Sequence, residues 1–202
     1  LLPHITRADS RSLWYQLSMA NPIWKCNPSI NDSRTLRQAI DAYRQDNLNA
    51  TRSAPHSKLI KCCRPTISLD PILWLPMSFI ERSRCLRYRL GWLPNNYSAH
   101  CLHHPSRTLT KDHAIECLNM HNRLQLPHDI SDPISHLLNQ LPTRPIKQRA
   151  NAPVNWSIVW PIVQLLLFEV DYLQHEKMPP TPSETLGQLF LDWLYAPTTT
   201  NT

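Results

Sequence analysis

Apolar residues along this chain recur mostly at intervals of three or four positions, the spacing that places side chains on one face of an α-helix. Leu36, Ile40 and Tyr43 show this spacing within one segment. In the last apolar segment, Ser183 stands where an N-cap is expected. Helices are predicted over residues 9–20, 30–47, 77–90, 131–142, 154–176 and 182–195.

Capping residues and prolines mark where these helices begin and end. The Asp-Pro pairs at 70–71 and 132–133 each place a capping aspartate before a proline at the first helical position. Thr110 is predicted to start a further helix. Pro76 is predicted to break or kink the segment that begins at 70–71, and Gly91 to end the helix over 77–90.

Glycine and proline contents decide the fold class. The chain has 2 glycines and 19 prolines among 202 residues. Tight hairpins need residues at positive φ, which glycine supplies, so an all-β fold is disfavoured. We therefore predict a mainly α fold in which short, proline-broken helices pack in one small domain.

The polar stretch over 47–67 is predicted to be a linker or exposed loop, and residues 93–109 a second loop. The expected organisation is an N-terminal helical segment and linker over 1–67, a helical domain over 68–195 and a frayed tail over 196–202. The apolar run over 154–170 is shorter than a bilayer span and is interrupted by polar residues and a proline, so we predict a buried helix and no membrane role.

Charge and cysteine usage bear on partners and compartment. The formal net charge is +6, which suits a polyanion such as nucleic acid. The sequence begins LLPHITRAD, without an initiator methionine or a secretory signal, so we expect a piece of a longer intracellular protein, nuclear or cytoplasmic, with reduced cysteines.

The stretch HCLHHPSRTLTKDHAIECLNMH, from residue 100 to 121, concentrates cysteine and histidine. Cys101 and His104 have the spacing C-x2-H of a metal-binding loop. His113 and Cys117 stand four apart on the helix that follows, so both can reach one ion. We predict that these four residues bind zinc in a zinc-knuckle-like loop–helix element.

Other residues compete for the same site. His103 and His100 are alternates on the loop side, and His121 is an alternate on the helix side. The alternative interpretation is metal-free, with Cys101 and Cys117 as small buried hydrophobic residues.

A catalytic role is not expected. Cys117 beside a histidine has no evident oxyanion hole, and a zinc-activated water would need an open three-ligand site. No pair of adjacent aspartates of the polymerase type occurs in the chain. We predict that the chain is not an enzyme by itself.

The basic helix over 77–90 lies just before the Cys/His stretch. Its cations and the neighbouring aromatic residues suit phosphate contacts and base stacking, so RNA or single-stranded DNA is the predicted ligand. The alternative is a solvated helix whose arginines pair with Glu81. The predicted nucleic-acid-binding residues are Arg82, Arg84, Arg87, Arg89, Tyr88 and Trp92.

The run CLRYRLGWLPNNYSAHCLHH, continued by LTKDHAIECLNMHNRLQLP, resembles the zinc-binding region after the reverse transcriptase domain of retrotransposons without long terminal repeats, particularly copies from early-diverging fungi. The later segments DPISHLLNQLP and FEVDYLQHEKMPP also resemble those proteins. The resemblance implies that Cys101, His113 and Cys117 are ligands. His104 stands where the family has a second loop cysteine, and the helical pair is H-x3-C rather than H-x4-C.

The resemblance also implies a function. The chain would be an accessory segment that holds RNA or DNA for an upstream polymerase domain of the same polyprotein. Three alternatives remain open: a transposon relic without function, a cysteine- or zinc-dependent hydrolase, and a metal-free helical interaction domain. The core or partner groove of the last would be built from Trp156, Trp160, Leu166 and Phe168.

Overall fold

A computed structural model describes residues 33–95, 99–145, 154–182 and 185–196. It divides into two compact units, one formed by Leu1–Lys58 and Pro65–Ile67, the other by Leu59–Arg64 and Ser68–Thr202. The described residues form eight α-helices, one 3₁₀ helix and one two-stranded sheet. The predicted mainly α class is therefore confirmed, whereas the helix predicted over 9–20 lies outside the described residues.

Helix α1, Ser33–Ser53, is the described helix of the first unit. It continues beyond residue 47, so the predicted loop over 47–67 is wrong for its first part. The polar side chains there bond to their own helix, because Thr51 Oγ1 donates to the Asn47 carbonyl at 2.7 Å and Ser53 Oγ to the Asn49 carbonyl at 3.0 Å. The polar residues from 47 to 53 therefore belong to helix α1.

Helix α2, Lys58–Cys62, also falls within the stretch that was predicted to be irregular. A 3₁₀ helix, Pro71–Leu73, follows in the second unit, and the Asp70 carboxylate accepts a hydrogen bond from the Ile72 N–H at 3.1 Å. This helix ends before Pro76, as predicted.

Helix α3, Phe79–Arg89, is the predicted basic helix, slightly shortened. Ser78 caps it in a reciprocal box with Glu81, since the Ser78 hydroxyl accepts from the Glu81 N–H and Glu81 Oε2 accepts from the Ser78 N–H. Gly91, at φ 70°, follows the last turn, where the left-handed conformation favours glycine.

The region predicted to be a loop over 93–109 contains an antiparallel hairpin. Strand β1, His100–Cys101, pairs with β2, His104–Thr108, so that Cys101 lies opposite His104. All five residues of β2 are exposed, which removes the alternation by which a strand is predicted from sequence.

Three short helices follow the hairpin: α4, Lys111–Cys117, α5, Met120–Leu124, and α6, Pro133–Asn139. Thr110 caps α4 and Asp132 caps α6, both as predicted. Asn119, at φ 49°, is left-handed and separates α4 from α5.

Helix α7, Trp156–Gln174, forms the centre of the second unit and contacts α3, α5, α8 and β1. Trp156 and Trp160 are buried there against Phe190 of helix α8, Gln188–Leu194. The prediction of a buried helix is confirmed. By length and composition alone α7 could cross a membrane, but half of its apolar window is buried against the rest of the protein.

The last helix begins later than predicted. Helix α8 has Gly187 as its N-cap, and the predicted cap Ser183 lies outside the described residues, as do residues 197–202 of the predicted tail. Leu166 is fully buried and belongs with the two tryptophans to the core of the second unit, whereas Phe168, at 8% exposure, lines a surface cavity of about 530 Å³.

Candidate metal centre

The hairpin register brings the loop pair of the Cys/His stretch together. Cys101 is fully buried in β1, and His104 begins β2 directly opposite it. Cys101 Sγ lies 3.8 Å from His104 Nδ1. The two-residue turn between them therefore places a thiol and an imidazole side by side.

Helix α4 supplies the second pair. The Thr110 hydroxyl accepts a hydrogen bond from the His113 N–H at 3.1 Å, which fixes the start of the helix. His113 and Cys117 then lie one turn apart on the same face. Cys117 Sγ is 3.6 Å from Cys101 Sγ, and the rings of His104 and His113 meet edge to face with centroids 5.1 Å apart.

The four side chains form one cluster. One ligand atom from each of Cys101, His104, His113 and Cys117 lies within 4.8 Å of every other. Cys101 and His113 are buried, Cys117 is half-buried and His104 is exposed. Two elements thus present four donor atoms to one point, and the cluster can hold a metal ion.

His113 carries the clearest sign of a missing partner. Both of its ring nitrogens are buried, and neither has a hydrogen-bond partner within the described part of the chain. A buried polar atom without a partner costs about 1–3 kcal/mol relative to one that is satisfied. A metal ion bound to one nitrogen would remove part of this cost.

The titration of the cluster fits the same interpretation. Burial, together with the hydrogen bond and charge of Cys101, raises the pKa of the Cys117 thiol to about 12. Burial and the neighbouring His104 and Arg107 lower the pKa of His113. The protein alone therefore favours the neutral forms of Cys117 and His113, and a bound cation would displace the proton of the Cys117 thiol.

The alternate ligands His103 and His121 lie at different distances from the cluster. His103 Nδ1 lies 3.3 Å from Cys117 Sγ, so His103 touches the cluster from the turn. His121 contacts the Ile130 carbonyl at 2.7 Å through Nε2 and stacks on His128. Because the left-handed residue before α5 ends α4, His121 does not continue the ligand face of α4.

The arginines of α3 are engaged within the protein. Arg84 Nε donates to Asp171 Oδ2 at 2.9 Å, and Arg87 Nη1 donates to Asp171 Oδ1 at 2.8 Å. Arg82 donates to the carbonyls of Ile72 and Leu75. Their main role is therefore to hold α3 against α7 and the 3₁₀ helix, in contrast to the predicted stripe of phosphate contacts.

Arg89 and Tyr88, which were also predicted to bind nucleic acid, likewise bond to groups within the protein. Arg89 is 5% exposed, donates to the Cys62 carbonyl at 2.8 Å and pairs with Asp70 at 3.4 Å. Tyr88 is fully buried and donates to Asp132 Oδ1 at 3.0 Å. Burial and Asp132 raise the pKa of Tyr88 well above its usual value.

Trp92 differs from the rest of this predicted set, since it is 61% exposed and free to stack. Glu81 does not pair with the arginines, in contrast to the alternative interpretation of a solvated helix. Its Oε1 accepts from the Gly187 N–H, and its Oε2 from Ser78.

Sequence reasoning missed the carboxylates that organise these contacts. Asp171 lies 87 residues from Arg84, and nothing local marks it as the partner. Burial alone would raise its pKa, but the hydrogen bonds from Arg87 and Arg84 outweigh burial and lower it. Asp132 likewise forms an ion pair with Lys111, whose Nζ lies 2.5 Å from Asp132 Oδ2. Its position as a helix cap did not predict this partner.

Comparison of the whole chain with family models, with curated proteins and with solved structures finds no match.

Proposed function

We propose that this chain is a zinc-binding, non-catalytic accessory module of a retroelement reverse transcriptase, intracellular in location, which binds RNA or single-stranded DNA beside the polymerase domain. The observation that carries the proposal is the cluster of Cys101, His104, His113 and Cys117, whose donor atoms lie within 4.8 Å of one another. The resemblance of the surrounding sequence to retrotransposon proteins supplies the class of parent protein.

The donor set favours zinc among the common metal ions. Two thiols and two imidazoles match the Cys₂His₂ sets of structural zinc sites, whereas calcium and magnesium prefer oxygen ligands. Two thiolates would also neutralise the charge of Zn²⁺, so that the ion can be held next to the fully buried Cys101.

The number of protein ligands favours a structural role. Four side chains fill a tetrahedral shell and leave no position for the water that a catalytic zinc activates. Zinc bound here would join the hairpin to α4, because two ligands come from each.

The nucleic-acid part of the proposal depends on the net charge of +6 and on the sequence resemblance. The arginines of α3 contribute less to it than their number indicates, since most of their donors bond within the protein. The cations that contact phosphate are therefore those of the second unit whose donors remain free.

The proposal is tested first by metal content. Protein purified without chelator should contain close to one zinc per chain, and Cys117→Ser should lose most of it. Cys63→Ser is the matched control, because Cys63 lies outside the cluster and should keep the full content. Absence of zinc from the unaltered chain, or equal loss in both variants, would contradict the proposal.

Nucleic-acid binding is tested separately. A fluorescent single-stranded RNA should bind the metal-loaded chain, and log K should fall linearly with log salt. Binding that is absent at low salt, or that does not respond to salt, would remove this part of the proposal and leave the metal site standing.

A further inference from the structure

A second group of chemically active side chains lies at the C-terminal end of α7, outside the metal centre. It lines a surface pocket of about 220 Å³. The pocket contains one carboxylate and three basic side chains. Its lining residues are Arg84, Asp171, Tyr172, His175 and Lys177.

Arg84 is held rigidly at this pocket. Its Nε donates to Asp171, and its Cζ lies 5.0 Å from the centroid of the Phe168 ring. The side chain is only 10% exposed. These contacts leave Nη1 and Nη2 without a hydrogen-bond partner among the described residues, so a fixed pair of donors is available to a ligand.

The pocket carries excess positive charge. Asp171 is the carboxylate of the pocket, and Arg87, just behind it, neutralises it through an ion pair of 2.8 Å. The charges of Arg84 and Lys177 are then left over. Lys177 is exposed and has no ion-pair partner among the described residues.

Glu81, the other carboxylate close to Arg84, is not among the residues that line this pocket. It lines a neighbouring cavity, and its two oxygens accept hydrogen bonds from the Ser78 and Gly187 N–H groups.

Basic residues at the end of a helix often serve only to cap it. Here the carbonyls of Asp171, Tyr172 and Leu173 near the end of α7 are already satisfied without the charge of Lys177. The Tyr172 carbonyl accepts from the backbone N–H groups of His175 and Lys177, and the Leu173 carbonyl accepts from the Glu176 N–H. His175 Nδ1 contacts the Asp171 carbonyl at 2.7 Å. These three carbonyls therefore do not need the Lys177 ammonium as a cap.

From these observations we infer that the pocket of Arg84, His175 and Lys177 binds a phosphate group. Arg84 would contact two phosphate oxygens through its free Nη donors, and Lys177 would supply a mobile charge. The inference deepens the proposed function, on which it rests for the source of the phosphate, the backbone of a single-stranded nucleic acid. A free phosphate ion has the same chemistry and is the alternative source.

The test uses Lys177, which the fold does not need, and the metal-loaded full chain. Lys177→Ala should weaken binding of a single-stranded RNA roughly fivefold and reduce the salt slope by about one. Lys177→Arg should retain binding, because it keeps the charge. Lys58→Ala is the matched control, since Lys58 is an exposed lysine outside the pocket and should leave binding unchanged.

A second arm titrates the ¹⁵N-labelled chain with inorganic phosphate. The backbone signals of His175 and Lys177 should shift in the unaltered chain, and the His175 signal should shift far less in Lys177→Ala. If phosphate gives this result but RNA does not bind at all, the pocket stands as a site for free phosphate and the nucleic-acid function fails.

If RNA binds equally well to the unaltered chain and to Lys177→Ala, the pocket inference is overturned and the proposed function stands. Absence of any Lys177-dependent response to either probe also overturns the inference.

Discussion

The Cys/His cluster and helix α3 are close neighbours in the sequence, and both concentrate side chains that bind ligands in other proteins. In the folded protein the two groups differ in their hydrogen-bond partners. Each arginine of α3 bonds within the chain, to the carboxylate of Asp171 or Asp70 or to backbone carbonyls, although individual nitrogens of Arg87 and Arg89 have no hydrogen-bond partner among the described residues. In the cluster, the two nitrogens of His113 find none in the described part of the chain.

This difference separates two uses of the same kind of residue. A polar side chain that bonds within the protein holds the fold together, whereas a buried one with no partner for any of its polar atoms needs an explanation, of which a bound ion is one. The number of arginines or histidines in a segment does not distinguish the two uses. Their partners do.

The largest effect should come from removing the metal. A strong chelator should lower the free energy of unfolding of the second unit by an amount on the order of 5–10 kcal/mol, because binding energy at a structural zinc site is folding energy. Thermal unfolding with and without chelator measures this, and added zinc should restore the transition. An unchanged midpoint would mean that the cluster is held together without metal and that the contrast with α3 is false.

The next largest effect should come from α3. Asp171→Ala leaves Arg84 and Arg87 largely buried without their carboxylate and should cost about 3 kcal/mol. Urea unfolding of zinc-loaded protein measures the loss, and zinc content should stay unchanged. Asp129→Ala, at an exposed carboxylate, is the matched control and should cost little. Equal stability of the two variants would show that the arginines of α3 do not need Asp171.

A smaller effect is expected in acid. Because the pKa of Asp171 is lowered in the folded protein, its contribution to stability is complete above 3.8, the ordinary value, and is lost as the pH falls through the folded pKa. Asp171→Asn should therefore lose less stability than the unaltered chain over this range. Both proteins should be compared without metal if chelation leaves them folded, since acid also releases zinc. If the free energy of unfolding fell equally with pH in both proteins, the lowered pKa of Asp171 would not be the source of the acid sensitivity.

The smallest effect is expected at the edge of the cluster. Arg107 of β2 and Glu116 of α4 form an ion pair at 3.6 Å, but both side chains are more than half exposed. Arg107→Ala should change stability by about 0.5 kcal/mol or less. A larger loss in chemical unfolding would mean that this pair, rather than a metal, joins the hairpin to the helix.

Local sequence signals predicted much of this fold. The Asp-Pro starts, the Thr110 cap and the end of α3 at Gly91 are confirmed, because each depends on residues within one turn of the helix end. The four clustered ligands were also predictable, since spacings of three and four residues fix their geometry in a tight turn and a helix. These features needed no knowledge of the rest of the chain.

The rest depended on contacts between distant segments. The fully exposed strand β2 has no apolar alternation that would predict a hairpin. The role of the α3 arginines depends on Asp171, far along the chain, and that of Tyr88 on Asp132. Which side of α3 faces the core was therefore not readable from the helix itself.

Gly187 sets a practical limit on how the protein can be shortened. It lies at φ 81°, and a Cβ there would come within 2.4 Å of Trp160 Cδ1. Its N–H donates to the buried carboxylate of Glu81, and α8, which follows it, places Phe190 with its ring centroid 4.7 Å from that of Trp160. A fragment ending before Gly187 would leave a buried carboxylate oxygen without its donor and expose the Trp160 ring. Any expression fragment meant for study of the metal centre should therefore extend past Leu194.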